Sequence, residues 1–153
     1  MGDNRLYLDT EFNGFGGELI SLALVADDGR EWYGVLPEPS SWNGWCFDNV
    51  FPVIHSLPPT LWPCDRKLFR ASLFAFLKQF ENPIIVADWY SDLHQFFGLF
   101  AGRDHTESWA YACRTELVLL DSYASEFPHN ALSDARAIRD ALAPMNRTLR
   151  AAR

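Results

Sequence analysis

The segment YLDTEFNGFGGELISL, Tyr7 to Leu22, decides the fold. An apolar run closes on two acids, Asp9 and Glu11, and then breaks into glycines. In a strand, residues i and i+2 point to one face. Asp9 and Glu11 therefore aim the same way, about 7 Å apart along the backbone. Two like charges on a half-buried face repel each other and lose hydration. Either something positive sits between them, or the segment is a solvated edge.

Working outward, RLYLDT reads as a first strand and ELISLALVADDG as a longer second one. Asp28-Gly29 is a hairpin signal before a third strand, REWYGVL, so the chain opens as a three-stranded antiparallel meander. Residues 37–64 form a Pro- and Trp-rich excursion, with a short helix expected around Asp48 to His55. DRKLFRASLFAFLKQF carries Phe69, Leu73, Phe76, Leu77 and Phe80 on one helical face, and Asp65 can cap it. Ile84 to Ala87 reads as a buried strand. SDLHQFFGLFAG reads as a helix with Ser91 as N-cap. TELVLLDSY reads as a strand ending near Asp121. NALSDARAIRDAL is a helix with Leu132, Ala135, Ile138 and Leu142 inward and the arginines outward, closed by Pro144. The order β-β-β, then α-β-α-β-α, makes an α/β domain with a mixed sheet and flanking helices over residues 1–153, without a repeat or linker.

Hydrophobic residues make up 48% of the 153 residues and aromatics 15%, which is a globular composition. The N-terminus lacks an apolar signal-peptide core, and no run reaches membrane-spanning length. Cys46, Cys64 and Cys113 lie far apart without a CxxC, pointing to a reducing cytoplasm rather than a disulfide framework or zinc site. A net charge of −7 argues against coating nucleic acid through bulk charge. Even so, Arg136, Arg139, Arg147, Arg150 and Arg153 cluster near the end, and no acid follows Asp140. That basic end is either a frayed tail or a source of local phosphate contacts.

Acids recur where strands end and helices begin, where open α/β folds collect ligands. Asp88 ends the middle strand, Asp92 opens the next helix, and Asp134 lies in the first turn of the last helix. Each alone is ordinary, because acids suit helix N-termini. Together with Asp9 and Glu11 they are not: converging carboxylates without a cation are costly. Two Mg²⁺ ions about 4 Å apart would balance them and perform phosphoryl chemistry. His129, five residues before Asp134, would point about 140° away from it on one helix. It therefore belongs to the preceding loop, with Asn130 as cap, in reach of a metal held by Asp134. The alternative is a surface loop histidine.

These residues resemble the DEDDh 3′–5′ exonucleases, a family on the RNase H-like fold. LDTEF matches the family's first motif through Asp9 and Glu11, and HNALSDA matches its third through His129 and Asp134. In VADWYSDLHQF, Asp92 takes the second-motif acid with Asp88 in the earlier polar position, where the usual His-Asn pair is missing; Asp88 is the alternative acid. LLDSY is similar to the strand before the last helix, so the likeness runs from about residue 5 to 142, closest to compact stand-alone exoribonuclease-like members.

The resemblance implies two-metal hydrolysis of a phosphodiester at a 3′ end, releasing nucleoside 5′-monophosphates. Asp9, Glu11, Asp92 and Asp134 would hold two Mg²⁺ ions, with Mn²⁺ able to substitute, and His129 would be the general base. Thr10, Phe12 and Asn13 would contact substrate, Phe12 by stacking unless it is ordinary core. The glycines after Asn13 would let backbone approach the terminal nucleotide. Single-stranded RNA ends or overhangs are the favoured partner, in the cytoplasm and away from membranes, with room for a homodimer. The alternatives are a single-stranded DNA exonuclease or proofreading-type subunit, a phosphatase using a strand-end aspartate, and a catalytically silent nucleic-acid-binding module. The Trp42, Trp45 and Phe47 excursion would either stack bases or act as a packing flap.

Overall fold

The computed structural model describes residues 4–61, 65–100 and 113–151, with side chains as far as Pro144. Strands β1 (Arg5–Phe12), β2 (Leu19–Ala26) and β3 (Glu31–Val35) form the expected antiparallel meander. The chain then makes a short helix α1 (Gly44–Asn49) and a 3₁₀ turn (Phe51–Val53), followed by α2 (Arg66–Leu77), β4 (Ile84–Ala87), α3 (Tyr90–Gly98), β5 (Arg114–Leu117) and α4 (Ala131–Ala151). The sheet order is β3-β2-β1-β4-β5, with β4 parallel to both β1 and β5. This is a mixed five-stranded α/β sheet of RNase H-like type.

Strand alternation sorts the core into two layers. Leu6, Leu8, Leu24, Trp32 and Ile85 face α2 and α3, meeting Phe69, Leu73 and Phe96. Tyr7, Ala23, Val25, Tyr33 and Val86 face the other way, toward Ala131, Ala135 and Ile138 of α4 and Cys46 of α1. At Glu11 the β1–β2 register slips: Glu11 pairs with Ser21 but Phe12 with Leu19, so Ile20 is an extra residue. Such a bulge bends the strand and re-aims side chains, here beside the acids of β1.

Several boundaries differ from the sequence expectation. Asp65 caps α2 as expected, accepting from the Leu68 N–H at 2.9 Å. Ser91 does not cap α3: the helix starts at Tyr90, Trp89 is the N-cap residue without a side-chain bond, and Ser91 is buried in the first turn. β5 stops at Leu117 instead of Asp121. Its partner β4 ends at Ala87, whose carbonyl accepts a last bond from Val118, and Leu119 beyond it is 79% exposed. α4 does not close at Pro144 but runs through it to Ala151. Proline there forfeits one backbone bond, to the carbonyl of Asp140, and the helix continues past that loss. The excursion helix sits earlier than expected, at Gly44–Asn49, because Asn43 accepts from Trp45 N and Cys46 N. Arg136 is not fully outward; it pairs with Glu31 across the sheet at 2.7 Å.

Cys46 and Cys113 are free thiols, and Cys64 lies outside the described residues. No described helix is long and apolar enough to cross a membrane.

Candidate active site

Register places the acids. The β1–β4 pairs Arg5↔Ile84, Leu6↔Ile85 and Tyr7↔Val86 bring Asp88 level with Asp9 one pleat further on. Tyr7 and Val86 share the α4 layer. By the period of two, Asp9, Glu11 and Asp88 belong to that face as well, and Asp134 enters it from the first turn of α4. Asp92 arrives from the opposite layer, in the first turn of α3. It is held there by Thr10: the Thr10 N–H and hydroxyl both donate to Asp92 Oδ1, at 3.1 and 2.6 Å.

Two triplets result. Asp9, Asp88 and Asp92 each offer an oxygen within 4.8 Å of the others, and Glu11, His129 and Asp134 do the same with a ring nitrogen of His129. The sequence-read residues Asp9, Glu11, Asp92, His129 and Asp134 are thus all brought to one end of the sheet, and Asp88 joins them. Thr10 is buried and committed to Asp92. Phe12 lies tilted against Trp89, with centroids 6.1 Å apart. Asn13 ties the glycine turn to the excursion, donating to Ser41 O at 2.7 Å and accepting from Asn43 N at 2.8 Å. The glycines serve this turn: Gly14 and Gly16 have φ of 78° and 73°.

Burial dominates the electrostatics. It raises the Asp9 and Glu11 carboxyls well above their usual range, and the neighbouring carboxylates raise them further, Asp92 first for Asp9 and Asp134 first for Glu11. Asp92 is pushed up to about 7 by burial, partly offset by the Thr10 bonds. Asp88 and Asp134 are also raised by burial. For Asp134 the loss of hydration is only partly countered, by Ser125 and the His129 N–H, the latter at 3.0 Å. Tyr123, after β5, has its phenol raised by burial and then by Asp9, Asp88, Asp134 and Asp92, so it overlooks the same centre. Among the described residues, no lysine or arginine pairs with any of the five acids.

His129 is set by the turn before α4. Its φ is 68°, a left-handed conformation that histidine tolerates better than most residues. Asn130 caps the helix, accepting from Ser133 N at 3.2 Å, and donates through its side chain to Val53 O at 2.9 Å. The Trp45 ring meets the His129 ring edge-on, at 5.0 Å and 83°. Asp88's place, the grip of Thr10 and this Trp45 contact escape a reading of residue order, because each depends on strand pairing or on how the excursion folds back.

The centre fits divalent cations. Asp9 Oδ2 and Asp134 Oδ1 are buried and have no hydrogen-bond partner. A buried carboxylate oxygen left unpaired beside other carboxylates is unfavourable, and all-oxygen or oxygen-plus-imidazole sets suit hard or borderline divalent ions.

No protein-family model matches the chain. It is similar to two curated proteins from two strains of Mycobacterium tuberculosis, each named a 3′-5′ exoribonuclease. Each is 38% identical over 78 residues, which is 48% of this chain and 46% of the relative. The chain therefore spans about half the length of the curated relatives it matches.

Proposed function

We propose that the chain is a metal-dependent 3′–5′ exonuclease of DEDDh type that removes nucleoside 5′-monophosphates from single-stranded RNA ends. The observation that carries this reading is the meeting of five buried or half-buried acids with His129 at one sheet end, with two carboxylate oxygens unpaired. The names of the two partial relatives support the exonuclease activity and the choice of RNA.

Glu11 and Asp134, with Asp9 beside them, would hold one cation, and Asp9 and Asp92 would hold the other. The cations supply Lewis acidity and positive charge for phosphodiester hydrolysis. Thr10 fixes the Asp92 carboxylate, leaving its second oxygen free to ligate. His129 is the residue that accepts a proton from the attacking water at a ring nitrogen, since it alone in the cluster carries an imidazole. The His129 N–H orients Asp134, so base and ligand are positioned by one turn. Phe12, with Trp89 behind it, offers a ring face on which a terminal base can stack.

The test is a degradation ladder on 5′-end-labelled RNA and DNA of one sequence, with Mg²⁺, Mn²⁺ or chelator. Single-nucleotide shortening of RNA from the 3′ end with metal, and none with chelator, is expected. Faster shortening of DNA would move the substrate to DNA, and no metal-dependent shortening of either would overturn the reading.

A further inference from the structure

We propose that Asp88 is a metal ligand in its own right, joining Asp9 and Asp92 on the cation at the open end of β4, so that two ions are held by five carboxylates. This rests on the metal-dependent reading above.

Four observations support it. The parallel register of β1 and β4 sets Asp88 beside Asp9 on the α4 face, in the row that Tyr7 and Val86 begin. One oxygen from each of Asp9, Asp88 and Asp92 lies within 4.8 Å of the other two. Asp92 has Oδ1 occupied by two Thr10 donors, so only its other oxygen is free to ligate. Asp9 is only 7% exposed, and its Oδ2 lacks any hydrogen-bond partner. Asp9 and Asp92 alone therefore give few free oxygens at this position, and Asp88 supplies the third. Three carboxylate oxygens with room for water match the hard, six-coordinate preference of Mg²⁺ and Mn²⁺. Asp88 is half-buried whereas Asp9 and Asp92 are buried, so it is the most solvent-accessible carboxyl of the three.

The experiment uses the full chain stripped of metal, without RNA, titrated with Mn²⁺ and followed by calorimetry and by the Mn²⁺ electron paramagnetic resonance signal. Wild type is expected to take two ions. Asp88→Asn should weaken one of them by at least the roughly 10–100-fold that losing an outer-shell partner costs and leave the other unchanged. Asp92→Asn should weaken the same ion, and Asp134→Asn the other. Asp88→Glu, which keeps the charge, should retain both. Circular dichroism of the metal-free Asp88→Asn chain checks its folding, with Asp88→Ser as the substitute should it not fold. Two wild-type affinities in a folded Asp88→Asn chain would overturn the role of Asp88 and leave the two-ion reading standing. A wild type that binds no Mn²⁺ would overturn both.

Discussion

Glu11, His129 and Asp134 meet on the α4 face, whereas Asp9, Asp88 and Asp92 meet where β4 ends and α3 begins. In the first group one member is an imidazole, and a backbone N–H already reaches one oxygen of Asp134, Oδ2. In the second group all three members are acids, and Thr10 donates to Asp92 through its N–H and its hydroxyl. The first group sets an imidazole beside its acids; the second is made of carboxyls alone. Under the proposed exonuclease reading the two halves would divide the work: one side would position and activate water, and the other would hold a cation and the phosphate it attracts.

The largest effect is expected where the halves join. Asp9 lies in the all-acid group, yet it feels the charges of Glu11 and Asp134 too. Asp9→Asn removes charge from both. Cation stabilisation of a phosphoryl transition state is worth several kcal/mol, and about 4 kcal/mol is a thousandfold in rate. Single-turnover RNA shortening at saturating Mn²⁺ should therefore fall by about 10³-fold or more. A loss confined to a few-fold would mean that the two groups work independently.

His129→Asn separates the halves. Asparagine tolerates the left-handed backbone at this position and keeps the N–H that holds Asp134. Only the base is lost, so turnover should drop by about 10²–10⁴-fold. The Mn²⁺ affinity of the Asp9, Asp88 and Asp92 group should remain at the wild-type value. If that affinity falls with the rate, the imidazole is helping to hold metal in both halves, and the division fails.

The two halves were not equally legible in the sequence. Asp9 and Glu11 announced a shared face through a spacing of two, and HNALSDA set His129 in a turn before Asp134; both are local patterns. So were the meander, Ile84–Ala87 and the Asp65 cap. Asp88 was readable as a strand-end acid and as the alternative second-motif acid, but not as the neighbour of Asp9, because that pairing is fixed by β1–β4 register, which no local spacing encodes. The same holds for Thr10, whose hydroxyl points away from Asp9 to receive an acid from the opposite layer. Ser91 looked like a cap because its type suits one, but α3 begins at Tyr90 and buries it. Pro144 looked like a stop, because the cost of one missing bond can be weighed only against the packing of the whole helix.

Metal-free stability should follow the same asymmetry. An acid whose pKa is raised by folding holds its proton longer in the folded state than in the unfolded one. Folding stability must then fall as pH rises from the unfolded carboxylate range near 4 toward the folded value, about 7 for Asp92. Urea unfolding in the presence of chelator should show a decline that begins near pH 4 and reaches up to a few kcal/mol by about pH 7. Asp92→Asn should flatten much of it. Millimolar Mg²⁺ should remove the decline at neutral pH, because bound cations favour the folded, ionised centre. Stability that rises across this window without metal would show that the carboxylates are not strained by one another.

The smallest effect tests what steadies the proton-moving half from outside. Trp45 is 56% exposed, yet its ring meets His129 edge-on. It is carried at the start of α1, whose cap Asn43 is tied to Asn13 after β1, so the excursion and the acid-bearing strand are held together. An aromatic edge contact is worth about 0.5–1.5 kcal/mol, or up to about tenfold in rate. Trp45→Leu should therefore lower kcat by between about two- and tenfold, with Mn²⁺ affinity in both groups unchanged and Trp45→Phe recovering most of the loss. If KM for RNA rises instead while kcat holds, Trp45 serves the substrate and not the ring of His129. The proton-moving half would then be steadied by the Asn130 cap and the Asp134 bond alone.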